Sequence, residues 1–507
     1  MVSISNTGSE NGFVGTDSAD KPHFQVVRGM KLCEEDAEDW SYRGEGAANI
    51  VLAYDGEKPS FVGRVLRIRK ASRNPSGLID NGTQNQVKKD AKPVLTEHEI
   101  KLWREWPSMC EATTSAALAH AYACEIMQPL LGKDHIDAGM LVFLTTGFLE
   151  AVSKEVNANQ PEWRRKDAQM DMTGGLALMI ADHSSFPALR SSARDLPQTI
   201  TVELKPKWGF LPTAATISDK NNVKRHVPRF TMLQHLKLQQ GKAKAISKYS
   251  PLDLFSGSDE RIIKALVDLF ETPQNNVRVF LEGEQVFGAP ADGQSIDEEV
   301  SSLEEKLAAV SVAPEGERVS VFQRLVASAL NKSKALDQLL RVQKLDTYDI
   351  EGAILAYDKF MEMADNADAD DSSEAVSTSS ENGKSINGSC FTRIDNLALE
   401  AEGELKNRDK EWIKSLTWEQ SCCVVRNFLI AGTAKDCGLM LTLRPLHNRQ
   451  GKAFPVPSAP IVACPTTGQQ YIFKVAFLDL DPKRLKKMPF YHSLDQQIVD
   501  TYKASLT

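Results

Sequence analysis

The sequence predicts an α+β fold with two lobes, and three observations support that prediction. The chain has 507 residues, and single hydrophobic cores stop growing near about 250–300 residues, so more than one core is expected. Between residues 40 and 70, apolar stretches separated by a glycine-rich turn and an Asp-Gly turn indicate an antiparallel series of strands. Helical patterns follow that series, and a new strand that begins at Thr201 opens a larger mixed region.

Composition and charge limit the classes of partner. Hydrophobic residues make up 42% of the chain and charged residues 25%, which is typical of soluble proteins. The net charge of −8 argues against nucleic acid as a partner, because the surface as a whole would repel a polyanion. No signal peptide is evident, and no apolar run approaches the roughly 20 residues of a membrane span. The eight cysteines form no Cys-x-x-Cys pair, so we expect a soluble protein of a reduced intracellular compartment, without a membrane partner.

Changes in composition predict the domain boundaries. The first 29 residues are polar, and two later stretches combine glycine, proline, serine and acidic residues with few apolar ones. The predicted organisation is a disordered tail over 1–29, an N-terminal lobe over 30–182, a connector over 183–200 and a C-terminal lobe over 201–507, with disordered insertions near 283–317 and 362–390.

The first candidate ligand site is the loop 43–49, which reads RGEGAAN and lies between two predicted strands. Glycine lets backbone N–H groups approach phosphate oxygens, because no side chain stands in the way. The loop lacks the Gly-Lys-Ser/Thr of a Walker motif and resembles the strand–turn–strand lid of protein-kinase-like folds. In those folds the next strand supplies a cation to the phosphates, and here that strand carries Arg67. An ordinary hairpin that contains a few arginines is the alternative.

Asp436 and Asp479 are the candidate catalytic carboxylates. Asp436 precedes the apolar stretch 439–443 and Asp479 follows the apolar stretch 473–478, and each stretch reads as a buried strand. Acids at the ends of neighbouring strands can meet over one site. Phosphoryl transfer uses such a pair, one carboxylate to orient the attacking hydroxyl and one to hold Mg²⁺. Acids are also common turn residues, so two ordinary turns are the alternative.

The strand that opens at Thr201 carries an unusual row of charges. Alternation places Glu203, Lys205 and Lys207 on one face, where a carboxylate and two ammonium groups are costly to bury without a charged ligand. A phosphate or another anionic ligand would satisfy that requirement. The alternative is a solvated surface strand.

A second concentration of charge follows Asp479. Asp481 reads as a helix N-cap, and the helix that it would start places Lys483 and Lys487 one turn apart, until Pro489 interrupts it. Such a helix beside a metal-binding acid suits a polyphosphate acceptor, although a solvated surface helix has the same pattern. Further cationic or amide-rich sites are predicted around Arg164, Lys237 and the turn 272–278.

Seven motifs occur in the order that one family has. They read RGEGAAN, ELKPKWGFLP, PLDLFSGS, TPQNNVRVFL, KLDTYDIEGAI, AGTAKDCGLM and FLDLDPKRLKKM. From about Glu35 to about Tyr502 the chain resembles the plant-type inositol-pentakisphosphate 2-kinases. The resemblance implies a two-lobed protein-kinase-like inositol phosphate kinase fold with an enlarged inositide-binding subregion in the C-terminal lobe. It also implies transfer of the ATP γ-phosphoryl group to the 2-hydroxyl of inositol 1,3,4,5,6-pentakisphosphate, which gives the hexakisphosphate, phytate.

The resemblance also assigns roles to individual residues. Asp436 would act on the 2-hydroxyl, Lys205 would contact the transferring phosphoryl group, and Asp479 together with Asp436 would bind Mg²⁺. The nucleotide would contact Gly46, Ala47, Asn49, Arg67, Ala181, His183 and Glu203. The phosphates of the acceptor would contact Arg73, Arg164, Lys207, Lys237, Asn275, Asn276, Arg278, Lys483, Lys487 and Tyr491.

The chain departs from the family pattern at three places. The plant relatives carry a zinc site with a Cys-x-x-Cys pair in the stretch that is 362–390 here, and no such pair exists, so we predict no structural zinc. Lys487 stands where arginine is common, and Ser72 replaces a substrate-binding arginine whose contact Arg73 could take over. The serine and the lysine leave open a kinase with a broader range of inositol phosphates. A non-catalytic inositide-binding scaffold is a third alternative, although the intact Lys205, Asp436 and Asp479 argue against it. We further expect a monomer in the cytoplasm, the nucleus or both.

Overall fold

The computed structural model describes residues 30–46, 48–72, 92–161, 164–165, 168–186, 198–288, 295–371, 408–447 and 459–506. These residues form a mixed fold of helices and two β-sheets, which agrees with the predicted α+β class. Among their helices, none combines the length and the apolar surface that crossing a bilayer requires.

The strands are β1 (Lys31–Leu32), β2 (Trp40–Glu45), β3 (Asn49–Tyr54), β4 (Arg64–Ser72), β5 (Met140–Leu144), β6 (Ala168–Met170), β7 (Gly175–Ala181), β8 (Ile200–Leu204), β9 (Val277–Leu281), β10 (Glu284–Phe287), β11 (Gly438–Pro445), β12 (Ile461–Ala463) and β13 (Gln470–Leu478). The helices are α1 (Glu97–Leu102), α2 (Pro107–Cys110), α3 (Ser115–Tyr122), α4 (Gln128–Leu131), α5 (Thr146–Asn159), α6 (Arg229–Gln239), α7 (Pro251–Leu254), α8 (Asp259–Glu271), α9 (Ile296–Leu307), α10 (Arg318–Ser333), α11 (Ala335–Gln343), α12 (Asp349–Asp371), α13 (Lys410–Lys414), α14 (Trp418–Ala434) and α15 (Met488–Ala504). A π-helical turn joins α3 to α4, and short 3₁₀ segments occur at Glu34–Asp39, Asp219–Arg225 and Leu485–Lys487.

The first sheet contains the predicted antiparallel series. Strands β2, β3 and β4 pair in sequence, and the full order is β1-β5-β7-β4-β3-β2, with β6 on β4. Alternate residues point to opposite faces, because the side chains of a strand have a period of two. Leu52 and Leu66 therefore pack in the core with Phe148 of α5, whereas Ala53 and Val65 belong to the other core, which is larger.

The second sheet positions most of the candidate site residues. Its order is β10-β9-β8-β11-β13-β12, and all neighbouring strands are antiparallel. The central strand β11 is buried along its whole length. Its first residue, Gly438, lies opposite Leu478, the last residue of β13. The loop before β11 and the loop after β13 therefore leave the sheet at the same end.

The predicted disordered insertion near 283–317 is wrong for the residues described there. Strand β10 and helix α9 lie within this range. Ser295 and Glu298 form a reciprocal capping box at the start of α9, and Leu303 and Leu307 are buried on one face of the helix. The cap and the buried leucines are specific contacts of this helix that its polar composition does not reveal. The second predicted insertion, near 362–390, also starts too early, because α12 extends to Asp371, and residues 372–390 lie outside the described part.

The chain after Asp479 also differs from the prediction. No helix begins at Asp481. Instead α15 starts at Met488 and places Pro489 in its first turn, where the missing N–H of proline has no partner to lose. Pro489 therefore lies at the start of a helix, whereas the sequence predicted that it ends one.

A buried ion-pair network joins three segments behind the site. Lys224 is 3% exposed, and its Nζ lies 2.7 Å from Oδ2 of Asp495 and 3.5 Å from Oε1 of Glu351. It also bonds Asp349, the first residue of α12. The network fixes the 3₁₀ segment at Asp219–Arg225 and helix α12 to helix α15.

Candidate active site

Asp436 and Asp479 lie at the same end of the second sheet, as the sequence predicts. Asp436 stands two residues before Gly438, and Asp479 follows Leu478, the direct partner of Gly438. Cys437 lies beneath both acids. Burial, and then the two carboxylates, raise the pKa of its thiol to about 12. The thiol of Cys437 is therefore neutral and buried beneath the site. The carboxylates of Asp436 and Asp479 are the groups available for chemistry.

Three lysines approach the carboxylate of Asp436. The Nζ of Lys483 is 2.7 Å from Oδ2 of Asp436, and the Nζ of Lys207 is 3.7 Å from Oδ1. Partial burial acts to raise the pKa of Asp436, but Lys483, then Lys207 and Lys205, outweigh it and hold this pKa below its usual value. The side chain is 60% exposed. Asp436 is therefore an ionised carboxylate that a ligand hydroxyl can reach.

The charged strand that opens at Thr201 is shorter than alternation suggests. Strand β8 ends at Leu204, and Lys207 adopts a left-handed backbone conformation with φ of 61°. The positions of Lys205 and Lys207 are therefore set by the loop and not by the pleat of the strand. Glu203 remains within β8 and faces Arg278 on β9, with 3.4 Å between Oε2 and Nη1.

Further groups surround the lysines at Asp436. Burial lowers the pKa of Lys237 on α6, and the neighbouring ammonium of Lys205 lowers it further. The pKa of Lys207 is lowered in the same way, by burial and by Lys205 and Lys237. On α15, burial and then the charge of Asp436 raise the pKa of Tyr491 to about 12. Repulsion among these ammonium groups would be relieved by a multiply charged anion.

Arg67 reaches this strand end from the first sheet. Its Nη2 lies 3.9 Å from Oδ1 of Asp479 and 3.5 Å from Oδ2 of Asp481. Asp481, interpreted from sequence as an N-cap, is therefore a second acid beside the predicted metal ligand. An arginine paired with two half-exposed acids can exchange one carboxylate for a phosphate oxygen.

The donor set at this point suits Mg²⁺. Oxygen ligands are what this ion prefers, and one or two carboxylates usually hold it together with phosphate oxygens and water. Asp479 is 54% exposed and Asp481 is 47% exposed, so both can accept such a ligand. In the part of the chain that the structure describes, no group of three or more acidic, histidine or cysteine side chains could hold a metal by itself.

Hydrogen bonds hold the backbone of Gly46 in the glycine-rich loop. The N–H of Gly46 donates to the carbonyl of Asn49 at 2.9 Å, and the Nζ of Lys70 donates to the carbonyl of Gly46 at 3.0 Å. Lys70 also pairs with Glu45. A side chain added at Gly46 would meet no atom within 4 Å, which leaves room for a ligand. Ala47 and Arg73, both predicted contacts, lie outside the described residues.

Side chains from both sheets contact the segment 182–186, which includes the start of the predicted connector. From β2, the Nη2 of Arg43 lies 3.2 Å from Oγ of Ser184 and 3.6 Å from Oδ2 of Asp182. From β13, the Nζ of Lys474 donates to the carbonyl oxygens of Asp182 and Ser185, at 3.2 Å and 2.7 Å. These contacts fix the connector where the resemblance predicts adenine and ribose.

His183 and Ala181 flank the start of this connector. Burial, with help from Lys474, lowers the pKa of His183 to about 4, so its ring is neutral at physiological pH. Both ring nitrogens are buried, and neither has a hydrogen-bond partner among the described residues. The N–H of Ala181 donates to Asp137 at 2.6 Å, so this amide is already satisfied.

The remaining predicted acceptor contacts have different surroundings. Asn275 and Lys487 are exposed, and Arg164 lies beside Tyr42 of the first sheet. Asn276 is 1% exposed, and its carbonyl accepts from the N–H of Lys205 at 2.9 Å. Its clearest effect in this structure is to position the backbone of Lys205, and a direct phosphate contact stays a prediction.

Sequence reasoning missed four residues of the site, namely Arg43, Asp481, Lys474 and Gln343. Lys474 had a usable signal, because a single cation within the otherwise apolar strand β13 needs a specific partner. Arg43 belongs to the RGEGAAN motif but was not singled out. Gln343, whose buried amide donates to the carbonyls of Lys207 and Ala434, ends an amphipathic helix, and no local pattern separates it from a surface glutamine.

Comparison with known proteins is consistent with this geometry. Residues 42–497 match the sequence pattern of the family described as inositol-pentakisphosphate 2-kinase. An Arabidopsis thaliana protein with that name is 38% identical over 476 residues, which cover 93% of this chain and 95% of the relative. A protein so named from Oryza sativa subsp. indica is 37% identical over 473 residues, with the same coverage. One from Danio rerio is 26% identical over 528 residues.

Proposed function

The chain belongs to the inositol-pentakisphosphate 2-kinase family, and from that membership we propose how its site performs the reaction. The protein is a kinase that phosphorylates the 2-hydroxyl of inositol 1,3,4,5,6-pentakisphosphate with ATP, which gives inositol hexakisphosphate. One observation carries the assignment of roles. Asp436, an ionised carboxylate among lysines, shares a strand end with Asp479, which Arg67 approaches from the other sheet.

The acceptor binds in the lysine-rich part of the site. Five phosphates bring far more negative charge than one cation offsets, so several cations must converge on the ligand. The carboxylate of Asp436 is flanked by Lys207, Lys237 and Lys483. The repulsion among these three ammonium groups is relieved when the anionic acceptor binds. The remaining contacts to the acceptor are assigned to Arg73, Arg164, Asn275, Asn276, Arg278, Lys487 and Tyr491.

Asp436 orients the 2-hydroxyl and accepts its proton. The low pKa of this carboxylate makes it a weak base, but it keeps the residue ionised and able to accept a hydrogen bond from the hydroxyl. Phosphoryl transfer has a loose transition state, in which positioning and charge stabilisation contribute more than base strength. Lys205 stabilises the charge on the transferring group.

The nucleotide binds between the glycine-rich loop and the connector. Gly46, Ala47, Asn49 and Arg67 contact its phosphates, and Ala181, His183 and Glu203 border its base and ribose. Asp479 and Asp436 would hold Mg²⁺, whose charge, when it is bound, neutralises the phosphate oxygens. We further infer that the two sheets are the two lobes of a protein-kinase-like fold, and that the protein acts as a monomer.

The decisive test offers the protein a panel of inositol phosphates with Mg-ATP and separates the products by anion exchange. We expect conversion of the pentakisphosphate that lacks only the 2-phosphate, and no comparable conversion of less phosphorylated inositols. Comparable conversion of tris- and tetrakisphosphates would favour the broader kinase, for which Ser72 and Lys487 give a reason. Binding without turnover would favour the scaffold.

A further inference from the structure

Two loops must keep a fixed separation for the proposed reaction. One follows β8 and carries Lys205 and Lys207, and the other precedes β11 and carries Asp436. The 3.7 Å contact between Lys207 and Asp436 joins their exposed ends. A contact between two partly exposed charges is weak, so it cannot fix the two backbones by itself.

The side chain of Gln343 joins the same two loops from beneath. Gln343 ends helix α11 and is 0% exposed. Its Nε2 donates to the carbonyl of Lys207 at 2.8 Å and to the carbonyl of Ala434 at 3.2 Å. Its Oε1 accepts from the N–H of Gly209 at 2.8 Å. Both N–H donors of the amide are therefore used, one on each loop.

The backbone atoms that Gln343 bonds lie in or next to the residues that carry the reactive side chains. Lys207 has a left-handed φ of 61°, a conformation that a non-glycine residue keeps only when its surroundings hold it. Ala434 lies two residues before Asp436, whose own N–H donates to Thr433 at 3.1 Å. One buried amide thus sets the backbone of the cation and that of the carboxylate relative to each other.

A second contact, three residues further along the chain, reinforces this connection. The Nζ of Lys435 lies 2.5 Å from Oδ2 of Asp346 and 3.9 Å from the centre of the Trp208 ring. Lys435 immediately precedes Asp436, and Trp208 immediately follows Lys207. The segment 343–346 therefore contacts the loop of Asp436 twice, through Gln343 and Asp346, and it contacts the loop of Lys207 through Gln343.

We propose that Gln343 is a positioning residue for phosphoryl transfer, whose buried amide fixes the distance between Lys207 and Asp436. The inference rests on the proposed function and goes one step deeper into the same site. Gln343 touches neither substrate, and it acts through the two residues that do. Misplacing a reacting group by about 1 Å can reduce a rate by about 100-fold, so a residue of this kind has a large kinetic effect.

The test replaces Gln343 with methionine, which has similar volume and cannot make the three hydrogen bonds. We expect kcat to fall about 10–100-fold while the KM for ATP changes less than about threefold. The matched control is Gln323→Met, at a buried glutamine of α10. It changes a buried glutamine outside the site in the same way and should leave kcat unchanged.

A pH profile separates positioning from a general loss of stability. If Lys207 moves away, the pKa of Asp436 rises, so the acidic fall of kcat moves to higher pH in Gln343→Met and stays in place in Gln323→Met. The charged and titratable groups that face Asp436 are Lys205, Lys207, Lys237, Lys483, Cys437, Asp479 and Tyr491. A folded Gln343→Met variant with kcat within twofold of wild type and an unmoved profile overturns the inference.

A second variant decides the question if Gln343→Met fails to fold. Gln343→Glu keeps the length of the side chain and the acceptor for Gly209, but its ionised form has no donor for either carbonyl. Its kcat relative to wild type should be low at pH 8 and should rise toward pH 6, as protonation restores one donor. A constant ratio across this range contradicts the inference. Inactive wild-type protein would instead refute the proposed function, which keeps the two failures distinct.

Discussion

The Nζ of Lys483 lies 2.7 Å from Oδ2 of Asp436, and this contact links the loop after β13 to the loop before β11. It makes Lys483 the nearest cation to the proposed catalytic carboxylate. The same lysine also belongs to the predicted acceptor site. Lys483 is therefore shared between the hydroxyl-orienting group and the ligand phosphates, and its exchange between them would accompany acceptor binding.

Replacing Asp436 with asparagine should reduce kcat about 100- to 10,000-fold, the usual contribution of a positioned acid or base. Affinity for the pentakisphosphate should stay the same or increase, because a negative charge leaves the phosphate site. Turnover and calorimetric binding measure the two effects separately. Asp500→Asn, at an exposed surface pair, is the control and should be neutral in both assays. A kcat within threefold of wild type would show that Asp436 does not act on the hydroxyl.

Replacing Lys483 with methionine should change the pH dependence of kcat. The ionised form of Asp436 is the active one, so kcat falls as pH drops through the pKa of this residue. Lys483 holds that pKa down, so its removal should shift the acidic fall of kcat to higher pH. Rates at saturating substrate, followed to the lowest pH at which both proteins stay folded, measure the shift. An unchanged acidic limb would mean that another group titrates there.

Replacing Asp479 with asparagine should raise the Mg²⁺ concentration needed for half-maximal rate by at least about tenfold, because a hard oxyanion ligand is lost. The change should be larger than the one that Asp436→Asn causes. A magnesium titration at fixed ATP measures both variants beside Asp500→Asn. Equal magnesium requirements in all three would remove Asp479 from the metal site.

Replacing Lys224 with methionine should lower the free energy of unfolding by about 3–5 kcal/mol, because Asp349 and Asp495 would keep buried negative charge without their cation. The control is Lys334→Met, whose exposed pair with Asp337 should contribute less than about 1 kcal/mol. Urea unfolding followed by fluorescence compares them. Similar losses in the two variants would show that the network is not a major source of stability.

The sequence predicted best where periodicity and caps agree. Helix α8 covers Asp259–Glu271, bounds that the sequence itself marks with an apolar stripe of helical period and a following Thr-Pro. The common strand end of Asp436 and Asp479 was also predictable, since two apolar strands of similar length tend to pair. In both cases the local pattern and the tertiary packing favour the same structure.

The wrong predictions share a physical cause. The composition of a segment averages over many residues, whereas a few residues with specific contacts determine whether the segment is ordered and what conformation it has. Helix α9 is polar overall, yet Leu303 and Leu307 anchor it. The left-handed conformation of Lys207 depends on Gln343, which lies 136 residues away in the chain. A periodic pattern within a short stretch of sequence carries no information on a contact of that range. The residues of these loops could therefore be predicted from the sequence, but the conformation of the loops could not.

The contacts that hold the segment 182–186 from the two sheets differ in their exposure to solvent. Arg43 is 29% exposed and reaches a hydroxyl and a carboxylate near the surface. Lys474 holds two backbone carbonyls, and burial lowers its pKa to about 8. The contacts of Arg43 are therefore the more exposed of the two sets, and water or a bound ligand competes for them more readily than for the buried bonds of Lys474. A ligand that displaces Arg43 leaves the backbone of this segment bonded to the second sheet.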